Sequence, residues 1–337
     1  MKYYIEKCLH GEHLTTEEAS RALDIIMSGS AADVQIAGLL VALRAKGETI
    51  DEIVGFAQTM RSKSIRISVD DSTAIDMCGT GGDGSGTFNI STVASLVAAG
   101  AGVTVAKHGN KSVSSRCGSA DVLAELGVKI DLTPEKAAES INSIGIGFLF
   151  APMFHPAMKY AGKARTELGI QTIFNILGPL TNPAGVDRQL IGTFNNTTAE
   201  KLAHASHSLG SCHVCVVHSK DGVDEVVLSG TTSVHEMRRK HPVKSYEVHA
   251  GTFCLPSHVI DGLKSSGKEE NARIALQVLN GDRSPARDVV VANAAFGLYV
   301  SGKVDTIREG VAAGEESIDS GRALRKLNQL VDFSRTA

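Results

Sequence analysis

The stretch from Cys78 to Thr92 carries the most distinctive chemistry of this sequence, because five of its fifteen residues are glycine. An apolar segment, Ala74 to Met77, precedes it and an apolar run, Val93 to Ala101, follows it, which predicts a strand, a loop and a helix. Glycines let backbone N–H groups approach a ligand, and a helix start adds free N–H donors and partial positive charge. This glycine loop therefore predicts an anion site, most often for phosphate, rather than a plain surface turn.

Two nucleotide-binding motifs match the glycine loop only in part. Gly79, Gly81 and Gly84 have the Gly-x-Gly-x-x-Gly spacing of a dinucleotide site, which also requires an acidic residue about 20 positions further on. The first acid after Asp83 is Asp121, and basic residues follow the second predicted strand instead. A Walker A loop is also disfavoured, because no Gly-Lys-Ser/Thr closes the stretch.

The second predicted strand leads into a basic segment, Lys107-His-Gly-Asn-Lys-Ser-Val-Ser-Ser-Arg116. Its cations, glycine and serines suit several phosphate oxygens at once, although a solvated charged loop would have the same composition. Ligands of parallel sheets bind at the carboxyl ends of strands, so the basic segment and the glycine loop are expected at one edge. Gly118 to Asp121 then begins another helix with further N–H donors. Together these loops predict a ligand with more than one phosphate group.

An acidic pair, Asp224-Glu225, stands between glycine turns and an apolar run. Adjacent acids are common on protein surfaces, but Mg²⁺ is typically held by one or two carboxylates together with substrate phosphates. A phosphate site without an acid of its own would need such a pair from elsewhere in the chain. We therefore interpret Asp224 and Glu225 as candidate magnesium ligands.

Helices alone are predicted for residues 1 to about 68. Thr15-x-x-Glu18 and Thr49-x-x-Glu52 are capping boxes, and apolar residues recur at helical spacing after each of them. The helix from Ala31 to Lys46 is apolar on more than one face. It therefore lies in the centre of a small bundle or at a subunit interface.

From Thr73 onward, short apolar runs alternate with helical patterns, which is typical of an α/β fold with a largely parallel sheet. The predicted strands are Ala74–Met77, Val103–Ala106, Val128–Ile130, Phe148–Phe150, Gln189–Phe194 and His213–His218, with an antiparallel segment at Thr231–Phe253. The predicted helices are Thr92–Ala101, Ala120–Leu126, Pro134–Ser143, His155–Leu168, Thr198–Leu209, Lys268–Asn280, Ala286–Val300 and Val304–Leu330. We expect a small all-helical domain, residues 1–68, joined by a segment near 165–185, and a large α/β domain, residues 73–337, with helices flanking a mostly parallel central sheet.

The composition argues against several classes of function. A net charge of −3 disfavours binding of nucleic acid through bulk charge. No apolar run reaches the roughly 18 residues of a membrane span, and the N-terminus lacks a signal-peptide pattern. Six cysteines, including the pair Cys212 and Cys215, follow no disulfide or zinc framework. We expect a cytoplasmic protein with neither a membrane nor a nucleic acid as partner.

In combination, the motifs resemble one enzyme family. They are Cys78-Gly-Thr-Gly-Gly-Asp83, Asn89-Ile-Ser-Thr92, Lys107-His-Gly-Asn110, Gly118-Ser-Ala-Asp121, Asn175-Ile-Leu-Gly-Pro-Leu-Thr-Asn-Pro183 and Asp224-Glu225. This set resembles the anthranilate phosphoribosyltransferase family, from the N-terminal helices to at least Gly230. The resemblance implies a nucleoside-phosphorylase-type fold, a homodimer formed through the helical domain, and a step of tryptophan biosynthesis. In that step phosphoribose passes from phosphoribosyl pyrophosphate (PRPP) to the amine of anthranilate.

The resemblance also implies which residues form the site. PRPP would be bound by Gly79, Gly82, Asp83, Thr87, Asn89, Ile90, Ser91, Thr92, Lys107, His108, Gly109, Asn110, Lys111, Ser112, Val113, Ser114, Ser115 and Ser119. Anthranilate would face Gly79, Asn110 and Arg165, with Arg165 opposite its carboxylate and His108 lining the same cavity. The cofactor Mg²⁺ would be held by Ser91, Asp224 and Glu225. The candidate catalytic residues are Lys107, His108, Asn110 and Arg165.

Position 111 departs from the family pattern, which often has arginine there; Lys111 offers a point charge in place of a planar fork. Two alternative functions remain open at this point. A pyrimidine-nucleoside phosphorylase of the same fold would carry a lysine-rich signature in the glycine loop, which we do not find. A non-catalytic relative that binds nucleic acid would have a basic chain and lack the acidic pair, whereas this chain keeps Asp224-Glu225.

Overall fold

The computed structural model describes residues 1–111 and 117–337. The chain begins with four helices: α1 (Lys2–Leu9), α2 (Thr16–Met27), α3 (Asp33–Lys46) and α4 (Ile50–Lys63). Both predicted capping boxes form, because the Thr15 and Thr49 hydroxyls accept hydrogen bonds from the backbone N–H groups of Glu18 and Glu52. The predicted helical start of the chain is therefore confirmed.

A seven-stranded sheet forms the centre of the rest of the chain. Its strands are β1 (Ile75–Gly79), β2 (Val105–Gly109), β3 (Ile146–Phe150), β4 (Arg188–Gly192), β5 (His213–Ser219), β6 (Thr232–Arg238) and β7 (Lys244–Val248). The strand order is β3-β2-β1-β4-β5-β6-β7, with β1 to β5 parallel and β6 and β7 antiparallel. The chain leaves β1 on one side towards β2 and later returns on the other side through β4. Such a switch point opens a crevice at the carboxyl ends of the strands, where ligands bind in these folds.

Twelve further helices follow in the described part of the chain. They are α5 (Ile90–Gly100), α6 (Ser119–Glu125), α7 (Pro134–Ile144), α8 (Ala151–Phe154), α9 (Lys159–Leu168), α10 (Ile173–Leu177), α11 (Asn196–Ser208), α12 (Ala250–Phe253), α13 (Lys268–Leu279), α14 (Pro285–Ser301), α15 (Ile307–Asp319) and α16 (Arg322–Thr336). Single 3₁₀ turns lie at Pro156–Met158, Gly178–Thr181 and Ile260–Leu263. No helix in the described residues is long and apolar enough to span a bilayer.

The two faces of the sheet are covered by different sets of helices. On one face α5 and α14, which are almost entirely buried, pack with the sheet into the largest apolar core. The second core joins α1 to α4 with apolar residues of α9, α10 and α11 and with Val214 and Val216 of β5. A small helical body therefore packs with a larger α/β body, which confirms the predicted fold class. Apolar residues between positions 157 and 180 also pack in the core of the helical body. The domain boundaries, including the joining segment near 165–185, stay a prediction.

Three predicted elements differ from the observed ones. Val128–Ile130 is not a strand, because the Val128 N–H bonds to the last turn of α6 and the Lys129 N–H bonds to Ser334 of α16. The helix predicted from His155 begins instead with a 3₁₀ turn at Pro156 and continues as α9. The helix predicted at Val304–Leu330 is divided into α15 and α16 at Gly321, whose φ of +69° ends a helical run.

Candidate active site

A cavity of about 600 Å³ lies at the carboxyl ends of β1 and β2. The glycine loop, the end of β2 and the acidic pair line it from the α/β body. Met60, Arg165 and Phe174 line it from the helical body. This volume lies in the range of cavities that bury small-molecule ligands. The cavity is thus shared between the two bodies of the molecule.

The glycine loop has a backbone that other residues would adopt only with strain. Gly81, Gly82, Gly84 and Gly86 have φ angles from +65° to +76°. At Gly79 the reason is space rather than conformation, because an added Cβ would lie 2.5 Å from Oδ2 of Asp224. The loop therefore requires glycine both for its shape and for close approach of the acidic pair.

The acidic pair contacts the glycine loop through backbone amides. Asp224 Oδ2 accepts a hydrogen bond from the Gly81 N–H at 2.9 Å, and Glu225 Oε1 accepts one from the Ser91 N–H at 3.1 Å. Asp83 Oδ2 in turn accepts one from the Asp224 N–H at 3.4 Å. Three carboxylates from two distant segments thus meet at one end of the cavity.

This crowding raises the pKa of both acids. Burial and then the neighbouring Asp83 raise the pKa of Asp224 to about 7, and burial and then Asp224 raise the pKa of Glu225 to about 8. Lys107 opposes the shift at Glu225. Carboxylates whose charge is this poorly compensated fit a divalent cation, which favours oxygen ligands.

At the start of α5, a backbone N–H group is bonded to Glu225. The sequence predicted free N–H donors there for phosphate. In the structure the Ile90 and Thr92 N–H groups bond to backbone oxygens, and the Ser91 N–H bonds to Glu225. A protein carboxylate therefore occupies the anion position at this helix start, and the remaining donors lie earlier in the glycine loop.

Two residues outside the predicted motifs hold the acidic pair in place. Asn293, buried in α14, accepts a hydrogen bond from the Val226 N–H at 3.1 Å and donates one to the Val226 carbonyl at 2.8 Å. Gly192, at the end of β4, leaves space for the Asp224 carbonyl, which a Cβ at that position would overlap. The position of the acids therefore depends on two other elements of the fold.

Lys107 lies within β2, whereas the sequence placed it in the segment after the strand. Its side chain is buried, and Nζ donates to the Met77 carbonyl at 2.6 Å and to the Ser91 hydroxyl at 3.5 Å. Burial lowers its pKa, and the charge of Asp76 opposes that shift. A buried ammonium group at this point is well placed to neutralise an anion in the cavity.

His108 and His155 form a neutral pair with ring centroids 5.2 Å apart. Burial lowers the pKa of His108 to about 3 and that of His155 to about 4. His108 Nδ1 lies 3.2 Å from the Gly178 carbonyl and therefore carries the proton, which leaves Nε2 as an acceptor without a partner in the described residues. Neither ring is suited to be a strong base.

Arg165, on α9, is a cation without a partner acid in residues 1–111 and 117–337. Its guanidinium lies over the Phe174 ring, 5.1 Å from the centroid. Burial lowers its pKa, and no neighbouring charge opposes that shift. A largely buried guanidinium that lines a cavity fits a carboxylate ligand.

Most of the predicted site residues line this one cavity. They are Gly79, Gly82, Asp83, Thr87, Asn89, Ser91, Lys107, His108, Gly109, Asn110, Lys111, Ser119, Arg165, Asp224 and Glu225. Ile90 and Thr92 do not line it, because their side chains are buried in the protein interior. Ser112, Val113, Ser114 and Ser115 lie outside the described residues.

Sequence reasoning missed several residues of the cavity wall, among them His155, Ser265 and Asn271. It also missed Gln171, whose side-chain amide donates to the Gly82 carbonyl at 2.7 Å. None of them belongs to a spaced motif. A lone asparagine within a helical pattern has no local signature, so sequence spacing had no means of finding Asn271.

A second cluster of ligand-type side chains lies at the sheet, where His213, Cys215 and Glu236 are buried close together. Glu236 already accepts hydrogen bonds from His213, Arg238, Tyr246 and Tyr299. Burial alone would raise the pKa of Glu236, but these donors hold it at about 2. The cluster is thus a satisfied ion-pair network, in which Arg238 supplies the positive charge.

Comparison with known proteins gives one consistent result. The family model of the glycosyl transferase family helical bundle domain matches residues 2–64, and that of the a/b domain of the same family matches residues 71–324. The chain is 49% identical to anthranilate phosphoribosyltransferase of Moorella thermoacetica, over 98% of this chain and 97% of that protein. It is 50% identical to the enzyme of the same name from Pelotomaculum thermopropionicum, over 99% and 96% of the two chains.

Two solved structures have the same fold over nearly their whole length. The crystal structure of anthranilate phosphoribosyltransferase from Thermus thermophilus is 42% identical, with a TM-score of 0.92, over 98% of this chain and 99% of that chain. The enzyme from Saccharomyces cerevisiae in complex with PRPP and Mg is 30% identical, with a TM-score of 0.91, over 100% and 98% of the two chains.

Proposed function

The chain belongs to the anthranilate phosphoribosyltransferase family, and from this premise we propose that it transfers the phosphoribosyl group of PRPP to the amine of anthranilate. The products are N-(5-phosphoribosyl)anthranilate and pyrophosphate, and the step belongs to tryptophan biosynthesis. One observation in the structure carries the proposal: a single cavity brings together the glycine loop, Lys107, the acidic pair and Arg165. Such a cavity fits one ligand rich in phosphate and a second ligand with a carboxylate.

In this proposal the phosphate groups lie against the glycine loop and Lys107. The donors are backbone N–H groups of the loop together with the Lys107 ammonium group. Ser91, Asp224 and Glu225 would hold Mg²⁺, and their crowded carboxylates fit a divalent cation. Bound Mg²⁺ would neutralise charge on the pyrophosphate; the relative from Saccharomyces cerevisiae was solved with PRPP and Mg.

Anthranilate would enter from the helical body, with its carboxylate opposite Arg165. Asn110 and Gly79 would face the same ligand, and His108 lines that part of the wall. The His108 Nε2 atom is itself buried, so the ring forms part of the wall without presenting this atom to the amine. In this proposal Arg165, Asn110 and Gly79 orient the amine towards the ribose carbon.

The reaction requires little acid–base chemistry from the protein. The amine nitrogen bonds to C1 of the ribose while the bond from C1 to the pyrophosphate oxygen breaks, and the proton shed by the nitrogen leaves for solvent. An aromatic amine is neutral at pH 7, so no strong base is required. The low pKa values of His108 and His155 agree with this mechanism. Catalysis then rests on positioning and on electrostatic stabilisation of the leaving group.

We further propose a homodimer formed through the helical body. Tyr3 and Leu9 of α1 and Val34 and Val41 of α3 are between 42% and 78% exposed, which makes them four of the nine exposed large apolar side chains among the described residues. Because α1 and α3 are in contact, these exposed apolar side chains lie on neighbouring helices, which favours an interaction surface. The six cysteines are all free, which supports a reducing compartment such as the cytoplasm.

The test is a fluorescence assay with the purified protein. Anthranilate fluorescence should disappear when PRPP and Mg²⁺ are both present, and it should persist when either is left out. Parallel samples with a pyrimidine nucleoside and phosphate, and with single-stranded nucleic acid, address the two alternative functions. Stable anthranilate signal in the complete mixture would exclude the proposed reaction.

A further inference from the structure

A segment late in the chain pairs with the end of the glycine loop. The Phe88 N–H donates to the Leu263 carbonyl at 2.8 Å, and the Ser265 N–H donates to the Gly86 carbonyl at 2.9 Å. Thr87 and Lys264 form an antiparallel bridge between these two bonds. The loop thus gains a short β-type partner that belongs to none of the motifs found in the sequence.

Asn271, on α13, connects this partner segment to the loop through its side chain. Its Oδ1 accepts hydrogen bonds from the backbone N–H of Asn89 at 2.7 Å and from Asn89 Nδ2 at 3.1 Å. Its Nδ2 donates to the Ser265 hydroxyl at 2.7 Å and to the Gly267 carbonyl at 2.9 Å. The side chain is buried, and every hydrogen-bonding position of its amide is used.

Asn89 is the residue through which this network reaches the rest of the cavity wall. It precedes α5, and its Nδ2 also donates to the Cys117 carbonyl at 3.1 Å, just before α6. Two residues later, the Ser91 N–H holds Glu225. Asn271 therefore fixes the position of Asn89, which lies between the end of the glycine loop and the start of α6.

We propose that Asn271 is a positioning residue for PRPP: it holds Asn89, and with it the end of the glycine loop, in the binding geometry. This inference rests on the proposed phosphoribosyl transfer. Asn271 itself need not touch the reacting atoms. Its effect should be specific to the phosphate ligand, because Arg165 lies on a different element, α9, and takes no part in this network.

The test compares steady-state kinetics of wild type and Asn271→Leu, a change of similar volume that removes all four hydrogen bonds. Two bonds to Asn89 are lost, so KM for PRPP should rise about tenfold to thirtyfold. The KM for anthranilate and kcat at saturating PRPP should stay within about twofold, since the inference assigns Asn271 no role beyond PRPP positioning. A merely structural role would lower thermal stability and active fraction while leaving KM for PRPP unchanged.

Ser265→Ala tests the same network if Asn271→Leu does not fold. It removes one hydrogen-bond partner of Asn271 Nδ2 and leaves Asn89 intact, so KM for PRPP should rise by about threefold. Asn280→Ala is the matched control, because Asn280 is an exposed asparagine that follows α13 and bonds to its own helix. Its KM for PRPP should equal that of wild type.

The outcomes separate the inference from the function on which it rests. Absence of turnover by wild type would contradict the proposed function and, with it, the positioning role that rests on it. Turnover by wild type, with unchanged KM for PRPP in both Asn271→Leu and Ser265→Ala, would overturn the positioning role alone. If Asn271→Leu is insoluble, an unchanged KM in Ser265→Ala is sufficient to overturn it.

Discussion

The buried Lys107 ammonium group makes only two hydrogen bonds among the described residues. The ammonium group is buried between the Met77 carbonyl and the Ser91 hydroxyl, and this burial lowers its pKa from the ordinary value. A phosphate ligand in the cavity would add to the negative charge of Asp76 and Glu225 around the ammonium group. The same electrostatic argument makes Lys107 the side chain whose loss should most reduce the rate.

Replacement Lys107→Ala should lower turnover by about a few hundred-fold or more, the scale of losing one key electrostatic donor. The measurement is kcat from the fluorescence assay at saturating substrates. Lys136→Ala is a suitable control, because Lys136 is a half-buried surface lysine paired with Glu139 on α7, away from the cavity lining. A near-normal rate in Lys107→Ala would contradict its assigned role.

The two buried histidines predict a specific loss of stability in acid. Their pKa values, about 3 for His108 and about 4 for His155, lie below the ordinary value of 6.5. The unfolded chain therefore binds protons below about pH 6.5, while the folded protein resists them. Stability from these residues is fully present above that pH and is lost as pH falls towards 4.

In wild type the unfolding free energy should decrease as the pH falls from about 6.5 to 4.5. The change His155→Gln should make this decrease less steep, by at most about 1.4 kcal/mol per pH unit for one proton. Urea denaturation across this range measures it. The exposed His241, replaced by glutamine, serves as control and should leave the slope of the wild type intact. Equal slopes for His155→Gln and wild type would show that His155 titrates normally.

At the scale of elements, the site depends on how closely β1, β4 and the segment after β5 approach one another. The Thr80 N–H donates to the Gly192 carbonyl at 2.8 Å, which joins the end of β1 to that of β4. Asp224 then passes over both strand ends, where glycines at 79 and 192 leave room for it. Glycine at 192 is therefore required by a neighbouring element and not by its own backbone conformation.

The substitution Gly192→Ala should displace Asp224 and raise the Mg²⁺ concentration for half-maximal activity by about tenfold or more, the usual scale for disturbing the partners of a metal ligand. Gly162→Ala is the control, since a Cβ at Gly162 would meet nothing within 4 Å. Activity titrated with MgCl₂ gives the comparison. If Gly192→Ala needs the same Mg²⁺ concentration as wild type, the proposed role of Asp224 in metal binding would be contradicted.

At the scale of the whole molecule, the helical body does more than cover the sheet. It supplies Arg165, Phe174 and Met60 to the cavity, and the segment that leads into α10 supplies Gln171, which donates to the Gly82 carbonyl. The phosphate side and the carboxylate side of the site thus belong to different bodies. Binding of both ligands would couple the two bodies through the same cavity.

The double variant Val34→Glu and Val41→Glu should convert the proposed dimer into a monomer, because it places two charges on the exposed apolar face of α3. Light scattering after size exclusion measures the mass. Leu276→Glu, which adds one charge to an exposed apolar position on α13, should leave the dimer intact. A monomeric wild type, or a dimeric double variant, would exclude this interface.

Local patterns in the sequence were sufficient for the fold class and for a hypothesis about the chemistry of the site. Alternating apolar runs predicted the sheet and its helices, because burial of periodic faces leaves a local signature. The glycine loop, the basic segment and Asp224-Glu225 indicated phosphate and magnesium, because these ligands require particular residue types at short spacing. The strand predicted at Val128–Ile130 was wrong, because the backbone donors of Val128 and Lys129 bond to α6 and α16 instead of a neighbouring strand. A local apolar run does not determine which partner its backbone will find.

Only the tertiary structure decided which distant residues meet. Contacts such as Gly81 with Asp224, Gly82 with Gln171 and Asn89 with Asn271 join segments about 90 to 180 positions apart. Such contacts follow from the packing of the whole chain, which no local pattern encodes. A single amide in a helix carries no periodic or spacing signal. The sequence therefore predicted a chemistry for the glycine loop, and the fold determined the side chains that hold the loop in place.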